Sequence, residues 1–186
     1  MKNLDRVLLE IRTLLESVND SEFNRFVEAI IKSDKVVGYG AGRMGLSLKA
    51  FIMRLNHLGI KAYYYTDTYV PPLDENTLFI ASSGSGSTKT VVKLMEIAKT
   101  RGAKIGLLTG NGKSAGAELS DYVLTYTSCN GGLNSPDSPD KISSIQPMST
   151  LNEQGTYILF DLIALEIIFK EKLNLEDTKK YHSNLE

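Results

Sequence analysis

The segment 82–88, which reads Ser-Ser-Gly-Ser-Gly-Ser-Thr, holds the residue types best suited to binding chemistry. It lies between a strand-like apolar run, Thr77–Ala81, and a run with helical spacing, Thr90–Ala98. Glycines let a backbone approach an anion closely, and the N–H groups and dipole at a helix start favour negative charge. Three hydroxyl donors add to this: Ser83, Ser85 and Thr88. The segment predicts a binding loop for a phosphate ester; an ordinary turn with a serine helix cap is the alternative.

A second glycine-rich segment, Gly38–Gly45, contains Arg43 at the position where a helix should begin. Its glycine spacing is compatible with a dinucleotide-binding turn, but a single glycine pattern does not identify one. Segment 82–88, in turn, lacks the lysine of a nucleotide-binding P-loop. The Arg43 guanidinium offers a fixed fork for an anion. We therefore expect Arg43 to bind an anion beside segment 82–88, the alternative being a solvated helix residue.

Five strand-like runs alternate with helical patterns, which predicts right-handed crossovers and a parallel sheet. The runs are Lys35–Tyr39, Lys61–Tyr65, Leu78–Ala81, Lys104–Leu108 and Tyr122–Tyr126. Ligands of such sheets bind beyond the carboxyl ends of the strands, and both glycine-rich segments fall at that edge. Two amphipathic helices precede the first strand, and the capping signal Asn19-Asp20-Ser21 marks the start of the second.

Two segments follow the last strand. Cys129–Ser144 is rich in Asn, Gly, Ser, Pro and Asp, which is typical of a linker, a lid or an interface loop. Thr150–Leu173 has the length and spacing of a long helix and is apolar on almost all sides. This predicts burial on several sides, including against a second subunit.

The composition of the chain limits the kinds of function that it can have. The chain has 186 residues, 42% of them apolar, and a formal net charge of −1, which predicts one globular domain with no overall attraction to nucleic acid or anionic membrane. Cys129 is the single cysteine, which excludes an intrachain disulfide and fits a cytoplasmic location. No apolar run is long enough to span a bilayer, and the start does not read as a signal peptide. Two histidines, His57 and His182, give no metal-ligand pattern.

Motifs along most of the chain carry a family resemblance. They are the Gly40–Arg43 turn, Met53–Gly59, Pro71–Leu73, segment 82–88, Ser144–Met148 and His182–Glu186. Together they resemble the 6-phospho-3-hexuloisomerases, which belong to the wider sugar isomerase (SIS) family. Segment 82–88 is shared by all SIS domains and indicates only a phosphosugar. Ser144–Met148 and His182–Glu186 are particular to the hexuloisomerases.

The resemblance implies a fold and its divisions. The expected fold is a three-layer α/β/α sandwich of the flavodoxin-like type, with a five-stranded parallel sheet, two N-terminal helices and a long C-terminal helix. The whole chain would be a single SIS domain. Its expected parts are N-terminal helices at residues 1–33, an α/β core at 35–126, a loop at 127–149 and C-terminal helices at 150–186.

The resemblance also implies an activity. That family interconverts D-arabino-hex-3-ulose 6-phosphate and fructose 6-phosphate without a metal or organic cofactor. A homotetramer with sites shared between adjacent subunits is expected, and no nucleic acid or membrane partner. The implied substrate-binding residues are Gly42, Arg43, Ser83, Gly84, Ser85, Gly86, Ser87 and Thr88.

Two further residues take catalytic roles under the resemblance. Moving a carbonyl between C3 and C2 requires one base that takes a proton from one carbon and returns it to its neighbour through an enediolate. Glu153 stands where the family has its catalytic glutamate; otherwise it would be a first-turn acid that favours the helix dipole. His182 would move a proton between the substrate oxygens, the alternative being a frayed terminal residue. His57 is expected to be structural.

Four positions depart from the family pattern. Met44 stands where a serine is usual, Ser87 replaces a glutamate, and Ser149 and Asn152 replace a glycine and a phenylalanine beside Glu153. These departures leave the exact sugar open. Two other functions remain: another aldose–ketose phosphosugar isomerase of the same fold, and a non-catalytic phosphosugar sensor. Nicotinamide dinucleotide binding is the remote alternative.

Overall fold

Five parallel strands form a sheet in the computed structural model, which describes residues 2–132, 139–182 and 185. The strands are β1 (Lys35–Gly40), β2 (Ala62–Tyr64), β3 (Thr77–Ser82), β4 (Lys104–Thr109) and β5 (Tyr122–Thr125). Their order across the sheet is β2-β1-β3-β4-β5, and each neighbouring pair is parallel. The predicted five-stranded parallel sheet is confirmed.

Helices connect and flank the strands. They are α1 (Leu4–Glu16), α2 (Asp20–Lys32), α3 (Gly42–His57), α4 (Lys89–Thr100), α5 (Ala115–Leu119), α6 (Thr150–Lys170) and α7 (Leu175–Thr178), with a 3₁₀ turn at Lys179–Tyr181. The capping signal before α2 is confirmed, because the Asn19 side chain accepts hydrogen bonds from the Ser21 and Glu22 backbone N–H groups.

The long helix α6 ends three residues before the predicted end at Leu173. Lys172 takes a left-handed φ of 50°, and the Leu173 N–H donates to the Ile168 carbonyl. This is the helix-ending motif that usually has a glycine at the left-handed position. The lysine there hid the helix end from the sequence pattern.

Adjacent strand residues point to opposite faces and so build two apolar layers. Val36 packs in a cluster with residues of α2, α3 and α6, whereas its neighbour Val37 packs with residues of α4. The sheet therefore lies between α2, α3 and α6 on one face and α4 and α5 on the other. The three-layer α/β/α sandwich is confirmed, and α1 lies outside it against α6.

Helix α6 keeps one face open. Five large apolar residues on it are between 36% and 65% exposed: Tyr157, Ile158, Leu162, Leu165 and Phe169. We call this set the open face of α6. Within one chain, only the opposite side of α6 is buried, through residues such as Phe160 and Ile163. The predicted burial on several sides is therefore only partly seen in a single chain. Among the described residues, no helix is long and apolar enough to cross a membrane.

Helix α1 approaches α6 closely at a glycine. A Cβ atom at Gly155 would lie 2.5 Å from the Leu14 Cδ2 atom, and Leu14 is fully buried. Leu14 has no room to move aside because interiors are close-packed. Gly155, in the second turn of α6, thus allows α1 to pack closely against α6.

We expect the effect of Gly155→Ala to change sign with the residue at position 14. In the wild-type chain the added methyl overpacks the contact, at about 1–3 kcal/mol, which exceeds the roughly 1 kcal/mol gained in helix propensity. In a Leu14→Ala background the methyl enters vacated space and should stabilise the fold. Urea unfolding of the four proteins measures both effects, and equal effects in the two backgrounds would contradict this packing argument.

Candidate active site

A cavity opens at the carboxyl edge of the sheet, between the ends of β1 and β3. Strand β2 pairs with one edge of β1, and the chain then crosses back so that β3 pairs with the other edge of β1. The ends of β1 and β3 are therefore neighbours, with Gly40 opposite Ser82. In open parallel sheets this reversal point is where ligands bind. The cavity has a volume of about 430 Å³. Both glycine-rich segments reach it, as predicted for that edge.

The loop after β3 is closed by its own hydroxyl groups. The Ser83 and Thr88 hydroxyl oxygens lie 2.9 Å apart, and the Gly86 N–H donates to the Ser83 carbonyl. Gly86 has a φ of 64°, and a Cβ atom there would lie 2.0 Å from the Ser114 hydroxyl oxygen. Only a glycine fits this turn.

The helix that follows this loop presents its start to the cavity. Thr88 is the N-cap residue of α4, yet its side chain makes no capping hydrogen bond and instead meets Ser83. The first-turn N–H groups of α4 therefore have no side-chain cap, which is the arrangement that receives an anion at a helix start.

The structure divides the predicted substrate-binding residues of this loop into two groups. Gly84, Ser85 and Thr88 line the cavity. Ser83, Gly86 and Ser87 do not line it. Ser83 is buried behind the loop, and the Ser87 N–H donates to the Ser85 hydroxyl oxygen. These three residues shape the loop rather than face the cavity.

The turn after β1 brings Gly42 and Arg43 to the same cavity. The first turn of α3 passes so close to β1 that a Cβ atom at Gly45 would lie 2.2 Å from the Gly40 carbonyl oxygen. The Tyr64 hydroxyl donates to that carbonyl at 2.7 Å. These contacts fix the start of α3 against the end of β1, and they thereby fix the backbone position of Arg43.

Arg43 contacts a carboxylate across the cavity. Its Nε donates to the Oε2 atom of Glu153 in the first turn of α6, and the Glu153 side chain is 15% exposed. The Ser47 hydroxyl also donates to the Glu153 carbonyl oxygen at 3.2 Å. Arg43, expected to hold a phosphate, is engaged with the expected catalytic base. The pair joins α3 to α6 at the cavity wall.

His182 lies far from this carboxylate within one chain. Its ring stands 5.0 Å from the ring of His57, at the last turn of α3. Helix α3 has 16 residues, so its two ends are about 24 Å apart at 1.5 Å per residue. Burial, then the charges of His182 and Arg54, lowers the pKa of the His57 imidazole. Ser183, Asn184 and Glu186 of the C-terminal motif lie outside the described residues.

Three of the four departures from the family pattern line the cavity, namely Met44, Ser149 and Asn152, and Ser87 does not. Asn152 is buried, and its Oδ1 accepts a hydrogen bond of 3.0 Å from the Cys129 N–H. The amide oxygen of Asn152 is therefore satisfied by the backbone after β5. Among the described residues, no group of three His, Cys, Asp or Glu side chains is placed to hold a metal ion.

Comparison with known proteins agrees with this architecture. Residues 29–129 match the SIS domain. The chain belongs to the SIS domain family. A relative named 3-hexulose-6-phosphate isomerase, from Bacillus subtilis strain 168, is 31% identical over 97% of this chain and 95% of its own length. A crystal structure of a hypothetical protein from Methanococcus jannaschii, described as inferring a molecular function of 3-hexulose-6-phosphate isomerase, covers 100% of both chains with a TM-score of 0.81 and 29% identity.

One relative is of another kind. An uncharacterised HTH-type transcriptional regulator from Clostridium perfringens strain 13 is 27% identical over 76% of this chain and 48% of its own length. The isomerase relatives thus match along nearly the whole chain, and the regulator along three quarters of it.

The sequence patterns missed a buried carboxylate that holds the loop before α6. Glu10 on α1 is 3% exposed and accepts hydrogen bonds from Ser144 Oγ at 2.8 Å, Ile145 N at 3.0 Å and Gln146 Nε2 at 3.2 Å. Arg6 Nε donates at 3.0 Å. Burial alone would raise the pKa of the Glu10 carboxyl, but these donors outweigh it and lower the pKa. The helical spacing of apolar residues along α1 does not indicate that Glu10 is buried. In the sequence, Glu10 resembles a surface acid, because its partners lie far along the chain.

We expect the stability of the fold to depend on the charge of Glu10. Because its folded-state pKa is lowered, its contribution is complete above the ordinary value of 4.5 and is lost as pH falls through the lower folded value. Glu10→Gln should lower the unfolding free energy at pH 7 by about 1–3 kcal/mol, since an amide cannot accept all four donors. It should also flatten the loss of stability below pH 4.5. Urea unfolding across pH tests this, with exposed Glu96→Gln as control; equal acid slopes for Glu10→Gln and wild type would contradict it.

Proposed function

We propose that this chain is a phosphosugar isomerase that interconverts D-arabino-hex-3-ulose 6-phosphate and fructose 6-phosphate. The observation that carries the proposal is the position of Glu153. Its carboxylate lies in the wall of a cavity whose other side is the uncapped start of α4 with Ser85 and Thr88. A phosphate at the helix start would hold the sugar with its carbon chain toward that carboxylate.

Glu153 has the chemistry that the reaction needs. As a carboxylate it takes the proton from C2 of the 3-ulose, which gives an enediolate spanning C2 and C3. It then returns that proton to C3, and the carbonyl now stands at C2. The Arg43 guanidinium orients the carboxylate, and it places a positive charge where the enediolate oxygens become negative. The hydroxyl proton moves from one oxygen to the other, which is the role we assign to His182.

We propose that His182 reaches the site from a second subunit of a homotetramer. A cavity of about 280 Å³ adjoins the main one, and Arg43, Glu153 and Tyr157 are among the residues that line it. Tyr157 belongs to the open face of α6, and Leu46 beside it is 65% exposed. A second copy seated on this apolar face would therefore reach Glu153 from outside the chain. Apolar patches of this kind mark association surfaces.

Two alternatives keep specific support. Met44, Ser149 and Asn152 line the cavity, which favours another phosphosugar isomerase whose sugar differs from that of the relatives. The match to a transcriptional regulator favours a phosphosugar sensor. A sensor needs the phosphate loop but has no use for a carboxylate base at the reacting carbons, so the placement of Glu153 favours an isomerase. The cytoplasmic location stays a prediction from the single cysteine.

Glu153→Gln is expected to abolish turnover while leaving fructose 6-phosphate binding intact. The amide keeps the shape of the side chain but cannot take a proton from carbon, so kcat should fall on the order of 10²–10⁴-fold. Proton NMR with fructose 6-phosphate in D₂O measures loss of the C3 proton signal and formation of the 3-ulose, and calorimetry measures binding. Glu171→Gln, the same change on an exposed residue just past the other end of α6, is the control.

The outcomes separate the candidates. Turnover in Glu153→Gln at the wild-type rate would remove Glu153 from the mechanism. Wild-type protein that binds fructose 6-phosphate saturably without exchange or product would contradict the proposed reaction. A panel of other phosphosugars in the same assay then distinguishes a different isomerase from a sensor.

Mixing two inactive variants tests the origin of His182. If Glu153 and His182 of one site come from different subunits, an equal mixture of Glu153→Gln and His182→Asn chains, unfolded and refolded together, gives about one quarter of sites with both residues intact. The mixture should regain about a quarter of wild-type activity. No recovery, with mixed oligomers verified by mass spectrometry, would place both residues in one chain and contradict the proposal.

A further inference from the structure

Among the described residues, three charged side chains line the main cavity: Arg43, Lys141 and Glu153. Arg43 and Glu153 are paired with one another. Lys141 is exposed, and within the described part of the chain it has neither a hydrogen bond nor an ion pair. The loop 82–88 contains no charged residue. Among the described residues that line the cavity, Lys141 is thus the positively charged side chain without a carboxylate partner.

The backbone beside Lys141 is fixed to the end of the sheet. Ile142, the next residue, forms a parallel bridge with Cys129: its N–H donates to the Ser128 carbonyl at 3.0 Å, and its carbonyl accepts from the Asn130 N–H at 3.0 Å. Cys129 is held in turn by Asn152 of α6. The backbone next to Lys141 is therefore anchored to the segment that follows β5 and, through Asn152, to α6.

Glu10 fixes the other side of the same loop. Its carboxylate binds Ser144, Ile145 and Gln146, which begin three residues after Lys141. Helix α1, which carries Glu10, is itself seated on α6 at Gly155. Two independent anchors, the bridge at Ile142 and the Glu10 carboxylate, thus enclose the stretch that follows Lys141.

We propose that Lys141 binds the phosphate group of the substrate and that Glu10 is a positioning residue for Lys141. The proposal rests on the proposed function for the identity of the substrate. A phosphate at the start of α4 receives N–H groups and hydroxyls from one side, and an ammonium with three donors balances its charge from the other. Because Arg43 is paired with Glu153, we assign the phosphate-binding charge to Lys141, on the loop before α6, and not to Arg43 after β1.

Lys141→Met tests the binding role, since methionine keeps the length of the side chain without the charge. We expect KM for fructose 6-phosphate to rise about 10- to 100-fold, with kcat within threefold of wild type, because a charge-assisted hydrogen bond is lost in ground and transition state alike. The affinity for inorganic phosphate, measured by calorimetry, should fall by a similar factor. Lys141→Arg should keep most of both. Lys113→Met, which removes an exposed lysine at the same sheet edge outside the cavity wall, is the matched control.

A double-mutant cycle tests the positioning role. Glu10→Gln should raise KM by part of the Lys141→Met effect, and Glu10→Asp should restore it. Lys141→Met added to Glu10→Gln should then cost less than it does alone, because both substitutions remove the same contact. A merely structural role for Glu10 would leave the two effects on KM additive, and additivity would overturn this part of the proposal.

The remaining outcomes separate this proposal from the proposed function. Unchanged phosphate affinity in Lys141→Met, with turnover intact, overturns the role of Lys141 and leaves the isomerase standing. A fall in kcat at constant KM would place Lys141 at the reacting carbons and also overturn it. Phosphate binding that depends on Lys141 in a protein without isomerase activity would support the site and contradict the proposed reaction.

Discussion

A carboxylate in a protein interior must be fully hydrogen-bonded, and the region around the site depends on how Glu10 meets that requirement. Arg6 on its own helix supplies one donor, and the other donors come from the loop before α6. Satisfying one charge therefore ties α1, the loop and the start of α6 into one unit. Glu153 stands in the first turn of that helix, seven residues after Gln146, and contacts Arg43 there.

The parts that sequence patterns predict are the parts that local sequence determines. The strands of the sheet, the turn at Gly86 and the cap at Asn19 each follow from residues within a few positions of one another. The contacts of Glu10 join residues 134 to 136 positions apart, and nothing near Glu10 distinguishes it from a surface acid. The end of α6 was missed for a different reason, since Lys172 takes the backbone conformation that usually belongs to glycine.

The residues that line or flank the cavity fall partly inside and partly outside the segment that matches the SIS domain. The match to the SIS domain ends at residue 129, and it contains the turn with Arg43 and the phosphate loop. Glu10, Lys141, Glu153 and His182 all lie outside it. Under the proposed function, the matched domain would hold the phosphate, and the flanking segments would bring the groups that act on the sugar. His182 cannot meet Glu153 within one chain, because His182 lies at the last turn of α3 and Glu153 contacts the first turn of that helix. The open face of α6, next to Glu153, is where a second chain would complete the set.

Asn152 shows how the cavity wall accommodates a buried polar side chain. A polar residue in place of an aromatic one inside a protein destabilises it unless its polar atoms find partners. Here Oδ1 is satisfied by the Cys129 N–H, and Nδ2 lies on the side of Gly84, 3.6 Å from where a Cβ atom on that glycine would be. Asn152 therefore gives the cavity an amide donor beside segment 82–88 while its oxygen stays hydrogen-bonded. Met44 lines the same cavity from the first turn of α3 and offers no hydrogen-bond donor, so of these two positions the one on α6 supplies the donor. Under the proposed function, this amide lies on the same helix turn as Glu153, where the sugar would meet both side chains.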